Sequence, residues 1–284
     1  MTMLSINTNV GAMRSADASY SVNKSMETSM NRLSSGKRIN GAADDAAGIQ
    51  IANRMNTEIM GLHQAVRNAA DAQALLMTAE GALDEVHTML LRIRELTVQA
   101  SNGTLEAADR TSLQAEVQVL EEEIQRINDN TEWAGKKLFT GVLSSGSATA
   151  GFVVQLGVDN SQTITVAIDG ITAELTSSSG GLGLTNTVLS AGSARAYLTK
   201  IDGAISIIAT DRGRYGATIN RLDHAISNFQ NIATNLATAK GRIEDADFAA
   251  ETSNLARTQV LQQASMAMLA QANASKQNIL SLFQ

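Results

Sequence analysis

Apolar residues recur at alternating intervals of three and four over most of this 284-residue chain, which is the spacing of one face of an α-helix. The most regular run lies in the C-terminal third. It consists of Leu198, Ile201, Ile205, Ile208, Arg212, Tyr215, Ile219, Leu222, Ile226, Phe229, Ala233 and Leu236. Arg212 is its only charged member. A repeat of this regularity predicts a coiled-coil seam.

The N-terminal half predicts a helix of unusual length, from Asp44 to Ser101, which would be about 85 Å long. Asp44 and Asp45 suit its start, because carboxylates interact favourably with the N-terminal end of a helix dipole. Its apolar stripe contains Ile51, Met55, Ile59, Leu62, Val66, Ala69, Leu76, Ala79, Leu83, Val86, Leu90 and Ile93. Residues 102–104 are predicted to end the helix.

A second, shorter helix is predicted after this break. Its apolar positions are Leu113, Val117, Leu120, Ile124 and Ile127, again three and four residues apart. The charged residues Glu121, Glu122, Glu123 and Arg126 predict an ordinary solvated face.

The pattern changes to strict alternation in the middle of the chain, which is typical of half-buried β-strands. The alternating apolar residues are Phe152, Val154, Leu156 and Val158, followed by Ile164, Val166 and Ile168. Polar residues 159–162 separate the two runs, which therefore predict a β-hairpin. A third strand can follow Gly170.

Both ends of the chain predict helices with a weak apolar stripe and few charges. The C-terminal stretch from Phe248 to Gln284 holds three charged residues and neither glycine nor proline. Its stripe consists of Leu261, Ala264, Met268, Ala272, Ser275, Ile279 and Leu282, and the N-terminal stripe of Ile6, Val10, Met13, Met26, Met30 and Leu33. The flanking residues, such as Gln262 and Ser265, are uncharged, whereas a solvated helix usually carries Lys and Glu there. Residues 34–41 and 240–242 are predicted to end the adjoining helices.

These elements predict a mainly α fold, with a long antiparallel helical coiled-coil rod, a small β-hairpin region, and chain ends paired as terminal helices. Zero prolines and an aromatic content of 3% fit long helices with narrow seams. A helical pair with an uncharged outer face can pack on copies of itself, and repeated heterologous contacts generate helical filaments. The residues predicted to make this self-contact are Ile6, Val10, Met13, Leu33, Leu255, Leu261, Met268, Ala272, Ile279 and Leu282.

Composition and motifs disfavour several other functions. A net charge of −6 without a basic face argues against nucleic acid as a partner. No apolar run is long enough to predict membrane insertion, and the first ten residues lack the pattern of a cleaved secretory signal. His63, His87 and His224 lie far apart, so we expect no metal site and no cofactor. Without a nucleophile or phosphate-loop motif, we expect no enzyme activity.

Several strings at both ends of the chain resemble bacterial flagellin. The N-terminal third carries RLSSGKRIN (32–40), DDAAGI (44–49) and IRELTVQ (93–99). The C-terminal third carries YGA (215–217), NRL (220–222), RIEDADF (242–248), AMLAQAN (267–273) and QNIL (277–280). One such string would be weak evidence, but this many in order is highly specific.

The resemblance implies a structural subunit that self-polymerises into the extracellular flagellar filament for swimming motility. In that family the paired chain ends form an inner-tube domain, D0, and the long helices with the hairpin form the next shell, D1. Here D0 would comprise residues 1–40 and 241–284. D1 would comprise residues 41–139, a hairpin region at 140–190, and residues 191–240. The outer variable domains of larger flagellins are expected to be absent.

The resemblance also implies partners. They are other copies of the chain, hook-junction and filament-cap proteins, the flagellar export apparatus and a flagellin chaperone, with export that needs no cleaved signal peptide. Arg92, Leu96 and Glu116 match the patch that the flagellin-sensing Toll-like receptor binds in this family. By periodicity alone, Arg92 and Glu116 are simply solvated helix positions. Leu91 departs from the glutamine common in strongly recognised flagellins.

Two alternatives to a filament subunit stay open. A hook–filament junction protein resembles flagellin at both ends but assembles only as a thin ring. A non-polymerising helical binding module would explain the heptads, although it would not explain the charge-poor ends.

Overall fold

The computed structural model describes residues 8–139, 151–168, 184 and 188–280. Within them lie five helices: α1 (Val10–Ser35), α2 (Ala46–Ala100), α3 (Ala107–Asn130), α4 (Ala191–Glu244) and α5 (Phe248–Leu280). The same residues contain two antiparallel hairpins, formed by β1 (Glu132–Trp133) with β2 (Lys136–Lys137) and by β3 (Gly151–Gln155) with β4 (Thr163–Ala167). The prediction of a mainly α chain with a small β region is therefore confirmed.

The chain divides into two compact units. The first takes residues up to Ile59 and from Thr234 onward, and the second takes residues 60–233. The division falls inside α2 and α4, and not at the connectors. The domain boundaries expected at residues 40 and 240 stay a prediction. None of the described helices is both long and apolar enough to cross a membrane.

The second unit has a continuous apolar core drawn from α2, α3, α4 and both hairpins. From α2 it contains Leu75, Leu76, Ala79, Leu83, Val86, Leu90, Ile93 and Leu96, all at most 6% exposed. From α3 it contains Val117 and Ile124 as buried residues, with Leu113, Leu120 and Ile127 packed against them. The three-four spacing of both helices correctly predicts these inward faces.

The first turns of α2 depart from the predicted stripe. Ile51 is 37% exposed, whereas its neighbour Ala52 is 4% exposed. Ala65 is likewise buried, and Val66 only half-buried. Small residues allow packed elements to approach closely, so alanine occupies the contact positions, and a pattern read from the larger side chains is displaced by one residue.

The ends of α2 and the start of α3 agree with the sequence. The Asp45 carboxylate accepts a hydrogen bond from the Gly48 N–H at 2.8 Å, which caps the first turn of α2. Asp44 accepts backbone N–H bonds from Asn40 and Gly41, and these lower the pKa of its carboxyl below the ordinary value. The break after Ala100 lies at the predicted residues 102–104.

The solvated face predicted for α3 is wrong at one position. Tyr197, which is fully buried on α4, donates a hydrogen bond to the Glu121 carboxylate. Burial raises the pKa of Glu121, and this outweighs the lowering effect of the bond from Tyr197. A buried phenol needs an acceptor, and the first residue of an acidic run can supply it.

The hairpin of β3 and β4 follows the predicted alternation. Phe152 lies opposite Val166 and Val154 opposite Ile164, and all four pack on the core of the second unit. The predicted third strand after Gly170 lies outside the described residues. The hairpin of β1 and β2 was not predicted. Its turn residues Ala134 and Gly135 have φ of 49° and 76°, which the sequence Ala-Gly signals less clearly than Asn-Gly would.

The end predicted for α4 at residues 240–242 is also wrong. The helix continues through Gly241 to Glu244 and breaks before Asp247, whose carboxylate caps α5 by accepting from the Ala249 N–H at 2.9 Å. A single glycine inside a helix costs only about 1 kcal/mol relative to alanine. The cap at Asp247, and not the glycine, therefore sets the boundary.

The connector after α1 contacts the end of α4 through Lys37, Arg38, Lys240 and Glu244, which we call the connector clasp. The Arg38 N–H donates to the Glu244 carbonyl at 2.6 Å. Lys37 Nζ lies 2.5 Å from Glu244 Oε1, and Lys240 Nζ lies 3.7 Å from Oε2. The hydrogen bond from Lys37 is the main cause that lowers the pKa of Glu244 below its ordinary 4.5.

Leu90 and Leu91 offer a matched test of the core of the second unit. Leu90 is fully buried and Leu91 is 47% exposed. We expect Leu90→Ala to lower the free energy of unfolding by about 2–5 kcal/mol, because it removes a packed side chain and leaves a cavity. Leu91→Ala should lower it by less than about 0.5 kcal/mol. Urea unfolding of both variants measures the difference, and equal losses would contradict the assigned core face.

The connector clasp predicts a coupling that depends on pH. The folded pKa of Glu244 lies below 4.5, so its contribution to stability is fully present above pH 4.5 and is lost as the pH falls through the folded value. A double-mutant cycle with Lys37→Met and Glu244→Gln should give a coupling of about 0.2–1 kcal/mol at pH 7, fading below pH 4.5. Urea unfolding between pH 7 and pH 3 measures it. A coupling that stays constant over this range would rule out the ion pair as its source.

Candidate functional site

The described ends of the chain form an antiparallel helix pair, α1 with α5, inside the first unit. The Asn9 amide donates to the Ala272 carbonyl at 3.2 Å, near one end of the pair. Gln262 donates to Asn23 at 2.8 Å farther along. At the other end, Arg32 and Glu251 form an ion pair at 3.9 Å.

The covered face of this pair is made mostly of small and polar residues. Along the centre of this face lie partly or fully buried residues that step by three and four, as a two-helix seam requires. They are Ala12, Ser15, Ser19, Val22, Met26, Ser29 and Leu33 of α1, and Glu251, Leu255, Thr258, Gln262, Ser265, Leu269 and Ala272 of α5. Beside them, Thr28 and Arg32 of α1 and Thr252, Asn254 and Ala274 of α5 are also partly buried. The seam therefore buries little apolar surface for its length.

Larger apolar side chains lie on the uncovered surface of the same pair. We call them the outer apolar set: Val10, Met13, Tyr20 and Met30 of α1, with Phe248, Val260, Leu261, Met266 and Met268 of α5. Their exposed fractions run from 46% for Leu261 to 74% for Tyr20. An exposed apolar surface of this kind is typical of a protein interaction site.

Charge is nearly absent from the exposed surface of α5. Between residues 248 and 275, the charged side chains are Glu251, which is 8% exposed and faces Arg32, and Arg257. Small residues such as Ala256 and Ala267 lie beside Val260 on the face turned away from α1. Close packing of other helices on this face would meet little desolvation cost and little repulsion.

The residues predicted for self-contact divide into three groups. Leu33, Leu255 and Ala272 are half-buried inside the α1–α5 seam. Val10, Met13, Leu261 and Met268 belong to the outer apolar set and make no such seam. Ile6 and Leu282 lie outside the described residues, and Ile279 lies in α5 where the side chains are not described.

Sequence reading did not recognise the true seam or the whole outer apolar set. The polar seam residues Ser19, Ser29 and Thr258 were not selected, and neither were Tyr20 and Val260 among the exposed residues. A three-four count that includes serine, threonine and glutamine would have found the seam. Three members of the apolar stripe predicted for α5, Leu261, Ala264 and Met268, lie one position from seam residues, and Ala272 belongs to both.

The predicted coiled-coil seam of α4 lies along the second unit's core. Ile201, Ile208, Tyr215 and Leu222 are at most 2% exposed. Leu198, Ile205, Ile219 and Ile226 alternate with them and are half-buried, and the half-buried Phe229 continues the first group. The seven-residue spacing within each group is that of the two positions of a heptad.

Of the three residues predicted to form the receptor patch, Arg92 and Glu116 are exposed and Leu96 is buried. Arg92 donates to Glu116 from Nε at 3.0 Å and from Nη2 at 2.7 Å, and to Glu95 from Nη1 at 2.6 Å. The hydrogen bond with Glu116 is the main cause that raises the pKa of Arg92. Leu96, in contrast, is 2% exposed and belongs to the core. The Leu96 side chain can pack under the helix that carries Arg92, but it is not accessible to a receptor.

No group of three or more His, Cys, Asp or Glu side chains that could hold a metal ion occurs among the described residues. The arrangement that remains is a helix pair with a polar inside and a partly apolar outside.

Comparison with known proteins identifies the family. The model of the bacterial flagellin N-terminal helical region matches residues 6–144, and that of the C-terminal helical region matches residues 198–283. The flagellin of Bacillus subtilis (strain 168) is 38% identical, with 98% of this chain and 99% of that protein aligned. The flagellin of Halalkalibacterium halodurans is 40% identical at the same coverage.

A solved structure supports the fold. A protein from Vibrio parahaemolyticus that is described as flagellar hook-associated is 20% identical, with a TM-score of 0.58 over 71% of this chain and all of that one. The two family models together cover well over half of the sequence, and the aligned relatives cover nearly all of it. The chain belongs to the bacterial flagellin family.

Proposed function

We propose that this chain is a structural subunit that polymerises into the extracellular bacterial flagellar filament for swimming motility, with contacts between copies made by the paired terminal helices. The proposal is supported by the distribution of residues in the α1–α5 pair, which differs from that of an ordinary two-helix seam with large apolar residues inside. Small and polar residues make up most of the pair's covered seam, and the residues of the outer apolar set are 46–74% exposed. In a filament, neighbouring copies of the chain would cover that surface.

The energetics favour assembly over an isolated pair. Fully burying one Val, Leu or Met side chain contributes about 1.5–3 kcal/mol. The outer apolar set has several such side chains in each copy, so their burial between copies can offset the entropy of ordering two long helices. A heterologous contact through this surface would leave a free surface on each copy, and such contacts extend into a helical polymer.

The family supports a structural role, and we further propose that the chain has no enzymatic activity. Its other proposed partners follow from the resemblance: hook-junction and filament-cap proteins at the two ends of the filament, and the export apparatus with a flagellin chaperone before assembly. Export without a cleaved signal peptide belongs to the same proposal.

Polymerisation tests the proposal directly. Val260 of α5 and Val119 of α3 are 66% and 64% exposed, so they make a matched pair in the two units. We expect Val260→Glu to raise the critical concentration for seeded polymerisation about 100-fold or more, since an unpaired charge buried at a contact costs about 3 kcal/mol. Val119→Glu should have a much smaller effect.

Electron microscopy and sedimentation of the seeded reactions provide the measurement, beside a truncation that lacks residues 261–284. Long filaments from the unmodified chain alone would support the proposal. Short rings from the unmodified chain would favour the hook–filament junction protein. Monomers under every condition would favour the binding module, and equal loss in the Val260→Glu and Val119→Glu variants would reject α5 as the main contact.

We also propose that the monomer is recognised by the flagellin-sensing Toll-like receptor through Arg92 and Glu116. The support is the match of residues 92–99 and 114–116 to the family, and the exposure of both side chains, at 46% and 45%. Leu96 would act from the core by holding the turn that carries Arg92.

Receptor binding separates this proposal from an ordinary solvated ion pair. We expect Arg92→Ala to weaken binding of the monomer at least tenfold, because one exposed charged anchor is removed. Arg126→Ala is the control, since Arg126 is also exposed and is paired with Glu123 within its own helix. Surface plasmon resonance with the receptor ectodomain gives both affinities. Unchanged affinity for Arg92→Ala would refute the assignment.

A further inference from the structure

The apolar seam between α2 and α4 does not by itself determine how the two helices align. Both stripes repeat every seven residues, so moving α4 along α2 by seven residues would again place apolar residues opposite apolar residues. A uniform heptad seam commonly needs polar residues to specify its register. The question is which residues select the observed alignment.

Polar contacts join the described parts of the two helices at three positions along the second unit. Arg94 Nε lies 2.7 Å from Asp202 Oδ1. Arg212 Nη1 lies 2.9 Å from Asp84 Oδ1. Farther along, Gln73 Nε2 donates to Asp223 Oδ1 at 3.0 Å.

These three contacts share a single antiparallel register. From the first to the second, the position moves ten residues back along α2 and ten forward along α4. From the second to the third, it moves eleven residues along each helix. Ten to eleven residues are about three helical turns, so the contacts recur on the same side of the seam. We call them the register ladder.

Arg212 is the strongest member of the ladder because it holds two carboxylates on α2. In addition to its contact with Asp84, it donates to Glu80 Oε1 from Nε at 3.2 Å and from Nη2 at 2.8 Å. Glu80 and Asp84 lie one turn apart, and the planar guanidinium spans them. Arg212, the charged residue in the α4 heptad, therefore pairs with two carboxylates at one position along α2.

Both alignments displaced by seven residues would lose the ladder. In one of them, Arg212 would come opposite Leu91, and Asp223 opposite Glu80, which places like charges together. In the other, Arg212 would come opposite Met77 and Asp223 opposite Val66, which leaves both charges without a partner. The same residues that stabilise the observed alignment thus disfavour its nearest competitors.

We infer that the register ladder, with Arg212 at its centre, selects the alignment of α4 on α2 from alternatives that the apolar seam would permit. A helical polymer needs every copy to have the same internal geometry. That consequence rests on the proposed function, whereas the alignment itself is a property of the monomer and is tested there.

Distance measurement between two spin labels reports the alignment. The chain has no cysteine, so Ala70→Cys on α2 and Ile207→Cys on α4 give two labels at exposed positions without background. In the observed register they are offset along the helix axes by about 28 Å, and the two displaced alignments change the offset to about 39 Å or about 18 Å. Pulsed electron–electron double resonance on the monomeric full chain measures the distance between the two labels, which differs among the three alignments.

We expect the labelled Arg94→Met/Arg212→Met variant to show a displaced component in addition to the native one, with helix content by circular dichroism retained. Arg126→Met, which removes an ion pair within α3, should leave one native distance. A single native distance in the helical double variant would overturn the inference, because loops and apolar packing would then suffice to set the register.

A second variant keeps the test decisive if the double variant does not fold. Asp223 is exposed, so Asp223→Lys is expected to fold, and it turns the repulsion with Glu80 in one displaced alignment into an attraction. We expect a component at the label distance that corresponds to the offset of about 39 Å, and none at the distance that corresponds to the offset of about 18 Å. Its absence, with the native distance unchanged, would overturn the inference. Because no polymerisation is involved, this result is independent of any failure to form filaments.

Discussion

The α1–α5 seam is made mostly of small and polar residues, so it buries little apolar surface for its length, and this constraint bears on how the chain can function. Ser19, Ser29 and Gln262 occupy positions where a stable two-helix seam would place leucine or isoleucine. Leu255 and Leu269 of α5 lie in the seam, whereas Val260 and Met268 lie outside it. A pair built this way gains most of its stability when other helices cover its surface, and in a polymer of identical chains those helices come from neighbouring copies.

The second unit shows the opposite distribution of residues. Leu83, Val86, Leu90 and Ile93 are almost fully buried, and charged residues border the seam as specific pairs. Such a core can fold without a partner, because apolar burial is completed within one chain. The two units therefore differ in how their apolar residues are covered: those of the second unit are buried within the chain, and we propose that those on the surface of the α1–α5 pair are covered on assembly.

Sequence reading predicted the elements of the second unit well because its pattern is dominated by large apolar side chains at regular spacing. Leu120, Ile124 and Ile127 identify the inward face of α3 without ambiguity, and the strands at Phe152 and Val166 follow their alternation. The unpredicted hairpin at Ala134 and Gly135 has strands of only two residues, too short for any periodic signal. Glu121 was misplaced because a buried tyrosine, remote in sequence, determines its environment.

Prediction was weaker at the candidate site, for a physical reason that also bears on function. Hydrophobic periodicity locates the face that is buried within a chain, provided that folding of that chain is what the apolar residues serve. In α5 the apolar residues Leu261 and Met268 are not buried within the chain, so their stripe does not mark the seam with α1, and their contact with other copies stays a prediction. Where the apolar stripe of a helix and its covered face disagree, as in α5, the exposed stripe is a candidate surface for another molecule, which is the basis of the contact that we propose between copies.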